Sequence, residues 1–284
     1  MELRPSGFSI LPQTVKYLII ANVVLFLATI FFDSVLHIDI AEYLALHHWK
    51  SPKFKVWQLL THMFMHGNIS GPNADYQGGF MHLFFNMFAL WMFGNILENK
   101  MGEKRFLTFY ILCGLGAAIC HLAVLSYEFS SMQNLFSVFY NDPSVAQFDL
   151  LLKNKFGSSI PKPLQDLLEQ WQNDPSSDSL KNYSIALLND YNSQKINEAT
   201  VGASGAVFGI LFAFGYIFPN LIIYLNFFIP VKAKYFVAIY AAIELFFGIR
   251  NSAGDNVAHF AHLGGMLAAF IILTSWKIRQ DKNY

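Results

Sequence analysis

A serine hydroxyl becomes a useful nucleophile when a neighbouring base takes its proton, and histidine can do that near neutral pH. The residues suited to this chemistry are Ser204, in Gly202-Ala203-Ser204-Gly205, and His262, in His262-Leu263-Gly264-Gly265. His82 and Asn86 stand at i, i+4 and so project from one side of a helix. With the Ser204 backbone N–H they are candidate donors to the oxyanion of a tetrahedral intermediate. Glu98 and Glu244 fall towards or beyond the middle of their apolar segments, away from the level of Ser204 and His262. A Ser-His dyad, without a carboxylate, is therefore the expectation. Gly202, Gly205 and His259 are expected to shape the site.

Groups so far apart in the chain need separate elements to hold them at one level. Of the 284 residues, 54% are hydrophobic and 13% charged, about half the charged share of a soluble domain, which indicates a membrane protein. Six apolar segments, 15–32, 79–97, 106–125, 201–218, 235–249 and 257–276, approach the roughly 20 residues needed to cross a bilayer. The expectation is an all-α membrane protein with a six-helix core over 1–125 and 201–284 and an extramembrane insertion at 126–200. Residues 1–13 are short, mixed and broken by Pro5 and Pro12, unlike a secretory signal. The stretch 221–231 follows Pro219, contains Pro230 and is too short to span, so it reads as an interfacial or re-entrant connection.

Lys100, Lys104 and Arg105, then Lys232 and Lys234, then Lys277, Arg279 and Lys282 all flank the same side of a six-span arrangement. That side is expected to be cytoplasmic, together with both termini, in a cell membrane if the source is bacterial. Lys50, Lys53 and Lys55 in the first external loop oppose this weakly. The insertion has five lysines and nine acidic residues and little apolar continuity. Within it Leu164, Leu167, Leu168 and Trp171 follow Pro163 at helical spacing and predict a short amphipathic helix. Cys113 and Cys120 share one apolar segment, where a disulfide is geometrically disfavoured. A net charge of zero gives no reason to expect nucleic acid.

Depth and facing then converge. Segments two, four and six each enter from the external side, placing His82 and Asn86, Ser204, and His259 and His262 in one outer layer. Polar groups at membrane depth are costly and mark function. Gly205 and Gly209, facing Gly265 and Ala269, would let segments four and six approach closely enough for Ser204 to reach His262.

These residues resemble the rhomboid family. Gly202-Ala203-Ser204-Gly205 is similar to its G-x-S-G motif, His262-Leu263-Gly264-Gly265 to its histidine-glycine motif, His82 to Asn86 to its H-x-x-x-N, and Glu98 with Gly102 to its E-x-x-x-G. The resemblance covers all six segments and implies a cofactor-free serine endopeptidase. Its substrates would be transmembrane proteins, cut in or near their helices after a small residue. Two positions depart from the family: Gln58 follows Trp57 where an arginine is usual, and Phe208 replaces a tyrosine that stacks on the histidine.

Other readings compete. His62, His66, His82, His259 and His262 could serve a membrane metalloenzyme, with His62 and His66 at helical pair spacing but no H-E-x-x-H glutamate. A catalytically inactive rhomboid-like protein that binds membrane clients is the other, although such relatives typically lack the serine or histidine. His62, His66, His121 and His259 read equally as structural or interfacial histidines. Asn68-Ile69-Ser70 and Asn182-Tyr183-Ser184 match a short glycosylation pattern.

Overall fold

The structure, a computed structural model, describes residues 9–67, 69, 74–157, 160–225, 228–250 and 257–281. The chain runs through helix α1 (Gln13–Leu36), one-turn α2 (Ala41–Leu44), strand β1 (Leu46–His47) and one-turn α3 (Gln58–Thr61), which continues into a 3-10 turn at His62–Phe64. Helices α4 (Tyr76–Met101), α5 (Glu103–Asn141), α6 (Val145–Phe156), α7 (Lys162–Asn173) and α8 (Asp178–Asn197) follow. Strand β2 (Ala199–Thr200), helix α9 (Ser204–Ile217), strands β3 (Ile222–Leu225) and β4 (Ile229–Lys232), and helices α10 (Ala233–Arg250) and α11 (His259–Ser275) complete it.

Each expected apolar segment coincides with a helix, and α1, α4 and α5 are long and apolar enough to cross a membrane. Helices α9 and α11 are apolar but shorter. Two expectations change, and the connection at 221–231 takes a definite form. The fourth segment becomes helical only at Ser204, because Gly202 has a φ of 129° that no helix accommodates. The third helix continues to Asn141, well past 125, since residues beyond the apolar run keep helical spacing of Met132, Phe136 and Phe139. The stretch 221–231 forms most of an antiparallel hairpin, with Ile222 opposite Lys232 and Tyr224 opposite Pro230. Asn68 and Ser70 of the Asn68-Ile69-Ser70 pattern, Lys282 and residues 1–8 lie outside the described residues.

Helix ends are held by side chains. Both Glu98 oxygens accept from the start of α1, from Thr14 N–H at 2.9 Å and Val15 N–H at 2.8 Å, and Glu98 is buried. A carboxylate there satisfies two donors that no helix can satisfy internally and complements the positive end of its dipole. Asp75 does the same for α4, accepting from Gly78 N–H at 2.9 Å.

The chain divides into two units, one of Met1–His47, Lys53–Leu122 and Ala199–Tyr284, the other of His48–Pro52 and Ala123–Glu198. The second unit has its own apolar core of Phe136, Phe139, Phe148, Leu152, Leu167 and Trp171. Residues 126–200 are thus polar only on average: their apolar side chains come in short clusters at helical spacing and meet when α6, α7 and α8 fold. The helix expected after Pro163 is α7, with Leu167, Leu168 and Trp171 buried and Leu164 packed beside them. Asn182-Tyr183-Ser184 lies within α8, where Ser184 is buried. Cys113 and Cys120 are free thiols; a Cβ on Gly209 would contact Cys113, and one on Gly264 would contact Cys120.

In the first unit the loop between α1 and α4 closes around Gln58, which is fully buried. Its Nε2 donates to the carbonyls of Tyr43 (3.3 Å) and Lys53 (3.0 Å), and its Oε1 accepts from the backbone N–H of His47 (3.3 Å) and Lys55 (3.1 Å). An amide both donates and accepts, so Gln58 staples the loop without a buried charge. Gln58→Ala strands these four backbone groups and is expected to cost about 2–4 kcal/mol. Resistance to thermal unfolding in detergent measures this, and a loss under about 0.5 kcal/mol would mean that water replaces the amide without penalty.

The same loop buries His62 and His66. His62 Nδ1 donates to the Gln58 carbonyl at 2.8 Å, and His66 Nε2 donates to Asn22 Oδ1 at 2.7 Å. Burial pushes His62 down to about 4 and His66 down to about 3, the latter helped by neighbouring His82. Both are neutral at pH 7, whereas in the unfolded chain they take up protons below about pH 6.5. Stability is therefore fully present above that pH and is expected to fall as pH drops from about 6.5 towards 4, by about 1.4 kcal/mol per unit for each histidine. A melting temperature flat across that window would contradict it.

Candidate active site

Helix α9 starts on Ser204, so the hydroxyl and the first unpaired backbone N–H groups of the helix share one end. The approach to it is fixed from several sides. Gly202 N–H donates to the His62 carbonyl at 2.9 Å. Thr200 pairs with Leu46 across β1 and β2, and its Oγ1 lies 2.8 Å from His121 Nε2. A side chain at Gly202 is excluded twice, by its φ and by space: a Cβ would sit 2.9 Å from His82 Cε1 and 3.4 Å from Ser204 Oγ. The His82 ring edge therefore borders the hydroxyl across Gly202.

Helices α9 and α11 cross at contact distance. A Cβ on Gly265 would overlap the Gly205 carbonyl, one on Gly209 would lie 3.0 Å from the Gly265 carbonyl, and one on Gly205 would overlap Ala117 of α5. At this crossing His262 Nε2 lies 2.8 Å from Ser204 Oγ. Phe208 stacks on the imidazole, with centroids 4.1 Å apart and planes at 6°, so the ring that replaces tyrosine keeps the stacking contact. His262 is buried, which keeps bulk water from competing for the hydroxyl.

Two sequence-level expectations need correction. Glu244 of α10 does reach the site: its Oε2 accepts from His262 Nδ1 at 2.8 Å and from His259 Nδ1 at 2.7 Å. Depth counted from helix ends put it too far in, but α10 lies against α11 and the glutamate side chain spans the remaining distance. His62 and His66 do not share a helical face, because the helix gives way to a 3-10 turn at His62 and His66 lies beyond it. Among the described residues, the group of metal-ligating type that converges is Glu244, His259 and His262, with ligand atoms within 4.8 Å of one another. Each donor atom there is already matched by hydrogen bonding within the group.

Asn86 is buried on α4 and donates from Nδ2 to the His82 carbonyl at 2.8 Å, which leaves its second N–H. His82 and His66 meet edge to face, with centroids 5.2 Å apart. His259 is clamped from outside by Phe247, stacked at 5.8 Å. A small cavity lies beside the hydroxyl, lined by His62, Met63, Gly114, Ala117, Gly202 and Ala261.

The family profile described as Rhomboid domain matches residues 53–133 and 179–277. Among curated proteins, the chain is 26% identical over 229 residues to an uncharacterized mitochondrial rhomboid protein of Schizosaccharomyces pombe, covering 78% of this chain and 52% of that protein. It is also 26% identical over 241 residues to rhomboid protein 1, mitochondrial, of Saccharomyces cerevisiae, covering 81% and 49%. The chain thus spans about half the length of these relatives. The profile leaves out 134–178, which lies within the second unit, and takes in both crossing helices, the α4 pair and the glycines between them. This is an integral membrane protein, and it belongs to the rhomboid family.

Proposed function

We propose that this protein is a serine endopeptidase that cuts other membrane proteins in or near their transmembrane helices, with Ser204 as nucleophile and His262 as base. The observation that carries the reading is the 2.8 Å contact between Ser204 Oγ and His262 Nε2 at a glycine-lined helix crossing. Ser204 Oγ attacks the scissile carbonyl carbon while its proton passes to His262 Nε2. The C–N bond then breaks, the departing amine takes that proton, and water deprotonated by His262 hydrolyses the acyl ester. The Ser204 N–H, His82 and the second N–H of Asn86 are the oxyanion donors. The small cavity beside the hydroxyl supports a preference for a small residue before the cut.

Six spans with both termini on one side are the topology we favour, since most of the basic flanking residues fall there, against Lys50, Lys53 and Lys55 on the other. Residues 126–200 would then lie outside the bilayer. Both relatives are named mitochondrial, so they lend no support to a bacterial cell membrane.

Reconstitution into liposomes with a single-span substrate tests the activity. Mass spectrometry of the fragments is expected to place the cut in or next to the substrate helix, with no cleavage by Ser204→Ala. Cleavage confined to soluble proteins, or undiminished in that variant, would refute the proposal.

A further inference from the structure

We infer that Glu244 is a positioning residue for the Ser204/His262 pair, so that the working unit is Ser204, His262 and Glu244 with His259 as the carboxylate's second anchor. The inference rests on the serine-protease reading above.

One oxygen of one buried carboxylate receives two imidazoles, His259 Nδ1 at 2.7 Å and His262 Nδ1 at 2.8 Å. A carboxylate only accepts, so both Nδ1 atoms carry hydrogen. For His262 this leaves the Nε2 lone pair, which is the atom 2.8 Å from Ser204 Oγ. The carboxylate thereby selects the tautomer that can receive the serine proton and fixes the ring plane. Phe208 fixes the same plane from its face.

During attack the Ser204 Oγ–H bond breaks, its proton forms an N–H bond at His262 Nε2, and the Oγ electron pair forms the bond to the carbonyl carbon. The Nδ1–H stays on His262, and the imidazolium gains a neighbouring negative charge. Glu244 receives no proton. A carboxylate buried to this degree needs partners to remain ionised, and His259 supplies the second one from the same helix as His262.

A merely structural tie between α10 and α11 would use the same contacts, so the test must separate charge from packing. Glu244→Gln keeps shape and hydrogen-bonding capacity but removes the charge and allows an N–H to face Nδ1. In the full chain, kcat on the single-span substrate is expected to fall at least 100-fold and KM to change less than about threefold, because the loss is confined to the transition state. Fluorophosphonate labelling at Ser204 should slow in parallel, with the melting temperature little changed. Glu244→Asp keeps the charge and is expected to retain at least tenfold more activity than the glutamine variant; it also serves should that variant fail to fold.

A Glu244→Gln enzyme within threefold of wild type in kcat would overturn the inference while leaving the Ser204 reading intact. Wild-type enzyme that does not label at Ser204 would overturn both. Wild-type activity abolished by a chelator and restored by a divalent metal would also overturn it, since the three side chains would then be ligands. Activity indifferent to chelation is expected.

Discussion

Ser204→Ala is expected to abolish fluorophosphonate labelling and to lower cleavage of a single-span substrate by up to about a millionfold, the scale seen when a hydrolase loses the nucleophile of a serine-histidine-aspartate triad. His262→Ala should cost nearly as much. A hydroxyl at the start of α9 gains nothing from its position alone; its activation depends on the Nε2 lone pair 2.8 Å away. Because the two residues act as one unit, the double variant should be no worse than either single variant. The decisive measurement is the labelled peptide: a fluorophosphonate adduct on another serine, surviving in Ser204→Ala, would show the nucleophile to be elsewhere. The folded state provides the control. Ser204→Ala should lower the melting temperature little, since alanine at 204 keeps the helix start, whereas His262→Ala removes one partner of the buried Glu244 and is expected to lower it more.

His82→Ala is expected to reduce kcat on the order of 100-fold while leaving slow labelling of Ser204, the profile of a lost oxyanion donor rather than a lost nucleophile. The ring borders Gly202 and the hydroxyl, where the developing negative charge would lie. Asn86→Ala should have a smaller effect, since one of its N–H groups is already committed to the His82 carbonyl. Single-turnover rates separate these roles. A kcat unchanged in both variants would remove them from transition-state stabilisation and leave the first N–H groups of α9 as the donors. A collapse of labelling in His82→Ala equal to that of His262→Ala would instead indicate that the site had lost its shape.

The motifs and their helices were readable because the membrane forces apolar residues into long uninterrupted runs. Each polar group left in such a run stands out, as Ser204, His262, His82 and Asn86 do. What escaped reading were features fixed by packing between elements. Hydropathy begins at Val201, but helix geometry begins at Ser204, since only the backbone of Gly202 reveals the break. Counting depth along one helix misplaces Glu244, because it ignores the reach of a side chain towards the neighbouring helix. Gln58 stands where the family has an arginine, and an amide with two donors and one oxygen serves four backbone groups there. The average polarity of the second unit hides it: leucines and phenylalanines in short clusters on α5 to α8 make a core without making a long apolar run.

The carboxylate of Glu98 ties the start of α1 to a residue 84 positions later in the chain. The opening turn of α1 is therefore not self-sufficient: the amides of Thr14 and Val15 have their acceptor only while the far end of α4 lies beside them. Drawing α1 away from α4 would uncap it, so the packing of these two helices and the integrity of the first turn of α1 stand or fall together.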